Sequence, residues 1–376
     1  MTISNRIAAL EESATLQVAA LCQQLRAEGV DVIGLSLGEP DFPAPAHVKQ
    51  AAIDAINNDI SHYGPTPGFP ALRQAIAASL NRDIAAYPVR PYDANEIIVS
   101  VGAKQALCNA IEALIGPGDE VIMPTPCWVS YVEMVKIAQG KSVLIKTTME
   151  NNFCLTAEQL EAAITPQTKL LMLCSPNNPT GNAFCREDIL RLADEFEGIL
   201  VVDEAYIDFA ECESLKTAIA SYPNIVVLQT LSKAWAMAGL RLGLALADRR
   251  VVEIMSQVKY PYNINQAALQ IVEELLSEPI DDKVAEIVAQ RGVVAEKLRA
   301  MSFVERVYPS DANFLLVKVA DADAVYDHLI ADGIIVRNRN KVYGCEGCLR
   351  MTIGTSEENV KLLKSLEIYE EKSVVR

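Results

Sequence analysis

Imidazole and indole are scarce in this chain: 376 residues contain three histidines and two tryptophans. That leaves little for a histidine-based triad or a multi-histidine metal centre. No run of about 18 uncharged apolar residues exists, the length a membrane-crossing helix needs. Glu11, Glu12 and Arg26 interrupt the opening segment, where a signal sequence would be apolar. Cations are also in deficit, 33 Lys and Arg against 49 Asp and Glu, for a formal charge of −16. Neither a nucleic-acid backbone nor an anionic membrane is therefore an expected partner, because counterion release needs clustered cations. Any anion the protein handles must meet positive charge focused in a pocket.

A disulfide framework is missing too. Nine cysteines, an odd number, are scattered along the chain, which is the reduced usage of a cytoplasmic protein. Cys345-x-x-Cys348 is the one close pair. Without a second pair or a His cluster to complete a tetrahedral site it reads as two ordinary loop thiols rather than zinc, and no metal is expected. The loops G-x-x-x-x-G-K-[ST] and G-x-G-x-x-G after a strand are absent, as are H-E-x-x-H and G-x-S-x-G. The missing dinucleotide fingerprint counts against a Rossmann dehydrogenase.

What is present is apolar and rhythmic, with 51% hydrophobic residues. Short β-branched runs predict strands at 97–100, 120–123, 142–145, 169–174, 199–203, 225–230 and 242–247. Amphipathic stretches such as 103–114, 186–196 and 212–221 predict helices between them. Strands without polar alternation, separated by helices, indicate an α/β fold with a mostly parallel seven-stranded sheet covered on both faces. The last third changes to an α+β rhythm: a helix near 281–301, strands at 313–319, 334–337 and 349–353, and helices at 322–331 and at the end. We therefore expect a large domain over residues 41–280 and a smaller α+β domain from 1–40 and 281–376.

Polar groups collect at the predicted strand ends, where open α/β sheets bind ligands. Ser100-Val101-Gly102-Ala103-Lys104-Gln105 leads a strand into a helix, a plain turn or an anion cradle. Ser175-Pro176-Asn177-Asn178-Pro179-Thr180-Gly181 is a rigid loop, open to turn chemistry alone or to aiming an amide above the sheet. Asp203, in Val201-Val202-Asp203-Glu204-Ala205-Tyr206, is a carboxylate closing an apolar strand, either a helix cap or the partner of a buried cation. Lys233, in Thr230-Leu231-Ser232-Lys233 followed by Arg241, is a surface loop lysine or a desolvated amine nucleophile. Together they offer an amine, an acid, hydroxyls and a guanidinium, the set that pyridoxal 5′-phosphate requires.

These runs carry a resemblance. With Ser36-Leu37-Gly38-Glu39-Pro40-Asp41-Phe42, His62-Tyr63-Gly64-Pro65-Thr66-Pro67-Gly68 and Leu349-Arg350-Met351-Thr352-Ile353-Gly354, they lie in family order over residues 36–354, and the chain resembles the fold-type I pyridoxal-phosphate aminotransferases of the aspartate aminotransferase superfamily. The resemblance implies that Lys233 bonds the cofactor aldehyde and later shuttles a proton, and that Asp203 partners the pyridine nitrogen. It implies that Asn178 and Tyr206 donate to the phenolic oxygen and that Trp128 stacks on the ring. The phosphate would meet the N–H groups of Ala103 and Lys104, the hydroxyls of Thr230 and Ser232, and Arg241. Tyr63 matches a tyrosine given across a dimer interface, so a homodimer with shared sites is expected. Arg350 resembles the fork for the substrate α-carboxylate, with the Gly38 backbone closing over it, and Trp128 and Asn178 also border the substrate.

The substrate reading divides along the chain. Gly38, Tyr63, Trp128 and Lys104, which fits a distal-carboxylate contact, resemble bacterial aspartate aminotransferases and favour an acidic amino acid, with glutamate and 2-oxoglutarate as one pair. Asp203–Phe209, Ala312–Leu316, Gly333–Arg337 and Gly347–Arg350 resemble histidinol-phosphate aminotransferase, in which Arg337 and Arg350 would share a substrate phosphate. Arg339 is expected as a solvated loop charge, with a third substrate cation as the alternative. A pyridoxal-phosphate C–S lyase on the same fold is a further alternative.

Overall fold

The computed structural model describes residues 14–40, 42–60 and 62–374. Glu11, Glu12 and Asp41, drawn on above, lie outside the described residues. In chain order the strands are β1 (Ile33–Gly34), β2 (Ile97–Ser100), β3 (Glu120–Thr125), β4 (Lys141–Lys146), β5 (Thr168–Cys174), β6 (Ile199–Asp203), β7 (Ile225–Thr230) and β8 (Gly243–Leu246). The later ones are β9 (Val304–Val307), β10 (Phe314–Val319), β11 (Ile334–Ile335), β12 (Arg337–Asn338) and β13 (Cys348–Thr352).

β2 to β8 form one seven-stranded sheet in the order β2-β8-β7-β6-β5-β3-β4. Only β8 runs antiparallel to its neighbours; the rest pair in parallel. Successive side chains point to opposite faces, and here both faces are covered. Val99, Leu200, Val202 and Val227 pack into one core, while Ile98, Val121, Val201 and Val226 pack into another. This two-sided burial is why the strands read as unbroken apolar runs.

β9, β10, β12 and β13 make an antiparallel sheet in the order β12-β13-β10-β9. It shares a third core with side chains of the helices Asp281–Arg299, Ala322–Ala331 and Ser356–Val374. β1 pairs in parallel with β11, which ties the segment leading to Ser36 onto this part of the molecule. Among the described residues no helix is long and apolar enough to cross a membrane.

Two expected elements differ. The predicted helix at 212–221 is only a short 3₁₀ turn, Leu215–Thr217. The Leu215 N–H donates to the buried Glu204 carboxylate at 2.7 Å and Ser214 Oγ takes the Lys216 N–H, so tertiary bonds claim the amides an α-helix would start from. The single strand expected at 334–337 is split, β11 pairing with β1 and β12 with β13, because Val336 separates residues that serve two sheets.

The sheet brings its polar ends together. Asp203 is level with Cys174 and Leu228, and Gly243 sits between Ser100 and Thr230. A Cβ on Gly243 would lie 2.1 Å from the Ala103 nitrogen and 2.3 Å from the Gly102 carbonyl carbon. Both neighbours are backbone and cannot swing aside. Gly243→Ala is therefore expected to destabilise the chain by roughly 1–3 kcal/mol or more, the cost of overpacking, read as a lower denaturation midpoint at unchanged m.

Candidate active site

A cavity of about 310 Å³ opens over the carboxyl ends of β5, β6 and β7. Ala103, Lys104, Trp128, Asn178, Asp203, Tyr206, Thr230, Ser232, Lys233, Arg241, Arg337 and Arg350 all line it. Of the residues singled out in the sequence, Gly38 and Tyr63 do not.

Asp203 ends β6 with its carboxylate buried. Oδ2 accepts the Tyr131 hydroxyl at 2.7 Å and Oδ1 the Ala205 N–H at 3.1 Å. Burial pushes the carboxyl above its ordinary range, opposed by those two donors and by the charge of Lys233. Lys233 Nζ donates to the Leu37 carbonyl at 2.9 Å and lies 5.4 Å from the centre of the Tyr206 ring. Amine and acid thus share one cavity, close enough to feel each other's charge.

A cradle for an anion forms beside them. Gly102 has φ +80°, and a Cβ there would strike Arg241 Nη2 at 2.5 Å. Only glycine lets that guanidinium approach the start of helix Ala103–Leu114, whose free N–H groups already favour negative charge. Arg241 adopts the left-handed region, φ 58°, and its Nη1 donates to the Ala238 carbonyl at 2.8 Å. Thr230 Oγ1 lies 3.0 Å from Ser232 Oγ and accepts the Ser232 N–H at 3.1 Å, so both hydroxyls sit at the same mouth. Trp128 stands edge-on to Tyr131, 5.4 Å between centroids, with Lys104 Nζ 5.5 Å from its ring. An anion cradle, an amine, a buried acid and an aromatic wall in one cavity of this size fit pyridoxal phosphate.

The opposite wall is cationic. Arg350, on β13, stands directly across from Arg337 on β12. Arg350 Nη1 donates to Asn178 Oδ1 at 2.7 Å and Nη2 to the Ser36 carbonyl, and its Cζ lies 4.8 Å from the Phe314 ring centre. Phe314 in turn meets Tyr206 edge-on at 5.2 Å. Burial lowers the pKa of Arg350, and that of Arg337 to about 10, the latter also through its proximity to Arg350. Arg339 was expected in solvent. It is 8% exposed and lines the cavity, because its backbone is tied to β13 by donation to the Cys348 carbonyl at 2.9 Å.

Gly38 differs from expectation in its availability. Its N–H already donates to Thr352 Oγ1 at 3.0 Å and its carbonyl accepts Asn313 Nδ2 at 2.9 Å; the neighbours Ser36, Leu37 and Glu39 line the cavity instead. Tyr63 is 84% exposed and lies against Tyr262, the ring centroids 4.7 Å apart and the planes tilted by 37°. Three contributors had no assigned part in the sequence reading: Tyr131, Asn313 and the Ser36 carbonyl. Tyr131 follows Trp128 closely in the run already singled out, but its contact with Asp203 across 72 residues leaves no signal in the local sequence.

The raised pKa of Asp203 has a sign. A carboxyl that binds its proton more tightly folded than unfolded loses stability as pH rises from the ordinary carboxylate range through the raised value. Asp203→Asn should therefore raise the melting temperature of the ligand-free chain by a few degrees at neutral pH, for about 1–3 kcal/mol of relieved desolvation, while activity falls. Calorimetry of the two chains across pH 4–8, with the gain vanishing at the acid end, is the check.

Comparison with known proteins agrees with this geometry. Residues 30–366 match the family described as aminotransferase class I and II. The histidinol-phosphate aminotransferase of Parabacteroides distasonis is 42% identical over 278 residues, 73% of this chain and 80% of that protein. Its counterpart in Flavobacterium johnsoniae is 40% identical over 279 residues, covering 73% and 79%. Among solved structures, the aspartate aminotransferase of Thermus thermophilus with maleate superposes at a TM-score of 0.84 and 34% identity over 99% of both chains. The Thermotoga maritima aspartate aminotransferase gives 0.86 at 28% identity, over 98% of this chain and 99% of that one. The chain belongs to the class I and II aminotransferases, and is a pyridoxal-phosphate-dependent aminotransferase of fold type I.

Proposed function

We propose that the enzyme moves an amino group between glutamate/2-oxoglutarate and histidinol phosphate. The observation that carries this reading is the pair Arg337 and Arg350, both buried, facing each other across β12 and β13 and both lining the cavity. Like charges directly opposite on adjacent strands are unfavourable by themselves. A phosphomonoester carries enough negative charge to be shared by both, and relatives at about 40% identity bear that substrate in their name. This reverses the order of preference from the sequence, where the acidic amino acid came first. Aspartate remains as a second reading on one observation, Lys104 beside Trp128 at the cavity edge, a cation free to meet a distal carboxylate.

When bound, pyridoxal phosphate supplies an electron sink that makes the α-proton of an amino acid removable. Lys233 would hold the cofactor aldehyde, and its amine, once released, would take that α-proton and return it to the cofactor's aldehyde-derived carbon, on the far side of the amino nitrogen. Asp203, oriented by Tyr131, would keep the proton on the pyridine nitrogen. Asn178 and Tyr206 would donate to the phenolic oxygen, Trp128 would cover the ring, and Ala103, Lys104, Thr230, Ser232 and Arg241 would hold the phosphate. The Asn178 Oδ1 accepts from Arg350, which leaves its NH₂ as the group that would donate to the cofactor.

We infer a homodimer from Tyr63. It stands exposed with Tyr260 and Tyr262, an aromatic patch of the kind interfaces bury, and would reach the phosphate of the neighbouring subunit. Tyr63→Phe should then weaken cofactor retention roughly tenfold through one lost charge-assisted hydrogen bond without shifting the melting temperature of the cofactor-free chain. Unchanged affinity in equilibrium dialysis would remove the cross-subunit role.

The substrate is tested by half-reaction kinetics of the cofactor-loaded enzyme with glutamate, histidinol phosphate and aspartate. Histidinol phosphate should give a kcat/KM at least about tenfold above aspartate, the factor that roughly 1.4 kcal/mol of extra transition-state binding supplies. Aspartate equal to or ahead of it would reinstate the acidic reading.

A further inference from the structure

Beyond Arg337 and Arg350 the cavity wall holds a third guanidinium. Arg339 follows β12 and is fixed by its own backbone: the N–H donates to the Cys348 carbonyl at 2.9 Å and the carbonyl accepts the Val342 N–H at 2.8 Å. The segment returns to β13 through Cys345-Glu346-Gly347-Cys348, a tight turn with Gly347 at φ +74° and a Cys348 N–H to Cys345 carbonyl bond of 2.9 Å. Both cysteines of that turn are fully buried in a small core with Phe153, Tyr308 and Leu316. The pair noted in the sequence thus works as an apolar anchor, which holds Arg339 over the cavity rather than letting it swing to solvent.

Among the described residues no carboxylate pairs with Arg339, and its Nε is buried without a hydrogen-bond partner. The same is true of Arg350 Nε. Two guanidinium side chains that each keep an unused donor therefore line one cavity, and the nearby charges of Arg350 and Arg337 destabilise the Arg339 cation further. Burying an unpaired charge is costly, and the cost falls when a counter-ion arrives with matching acceptors. A carboxylate brings one charge and two oxygens; a phosphomonoester dianion brings two charges and three oxygens, and guanidinium forks match it.

We propose that Arg339 is a third substrate-binding cation, one that makes the site discriminate a phosphomonoester from a carboxylate. This deepens, and rests on, the reading of the substrate as a phosphate ester.

The experiment compares wild-type, R339Q and R339K holoenzymes by calorimetric titration with phenyl phosphate and with benzoate, and by kcat/KM for histidinol phosphate and glutamate. R339Q should lose about 10- to 100-fold in phenyl phosphate affinity, the range for a hydrogen bond to a charged group, with a clearly smaller loss for benzoate. R339K, which keeps the charge but not the fork, should recover part of that loss. The two kcat/KM values should split in the same sense. Equal losses for both anions, no loss for phenyl phosphate, or no phenyl phosphate binding by the wild type would each overturn the proposal. Should R339Q not fold, R339K carries the same comparison, with a selective loss of smaller size expected and an equal loss overturning it. Failure of the substrate reading looks different: the wild type would leave histidinol phosphate untouched while R339Q still lost phenyl phosphate selectively.

Discussion

Opposite charges are held apart on two walls of one cavity, and the rest of the molecule serves that separation. Asp203 ends an otherwise apolar strand, and among the described residues its hydrogen-bond donors are a tyrosine hydroxyl and a backbone amide. Lys233 stands near but donates to the Leu37 carbonyl rather than to the acid. Across the space, Arg337, Arg339 and Arg350 are buried among one another. On the proposed reading, a cationic ring nitrogen would meet the first wall and an anionic substrate group the second. A low-dielectric interior makes such interactions stronger than they would be in water, which is how a protein of net charge −16 can bind anions.

Much of this was legible in the sequence, for a physical reason. A parallel sheet buried on both faces writes itself as apolar runs, and its polar residues are then conspicuous at the strand ends; Asp203, Thr230 and Ser100 were readable that way, and the edges of β2, β6 and β7 fell where expected. The misses are all tertiary. The stretch after Cys212 has helical periodicity, yet the buried Glu204 side chain takes one of its amides. Arg339 looks like any loop arginine until the two cysteines beyond it prove to be buried. Gly38 sits in a familiar run, but Thr352 and Asn313, more than 270 residues away, occupy its backbone groups.

The two resemblances noted in the sequence fall on different parts of the cavity lining. Residues resembling aspartate aminotransferases, Lys104 and Trp128 among them, stand near the cradle at the start of helix Ala103–Leu114. Those resembling histidinol-phosphate aminotransferase supply both Asp203 with its following turn and the cationic wall. Asn178 joins the two, since it is on the loop beyond β5 and accepts from Arg350 on β13.

The three guanidiniums that line the cavity between Arg337 and Arg350 come from a single hairpin of consecutive chain, whereas Ala103, Asn178, Asp203, Lys233 and Arg241 on its other sides are dispersed over more than a hundred residues. With the substrate role proposed for those arginines, exchange of this one short cassette would change the ligand class while the dispersed residues stayed in place, provided the replacement still presented an arginine to Asn178.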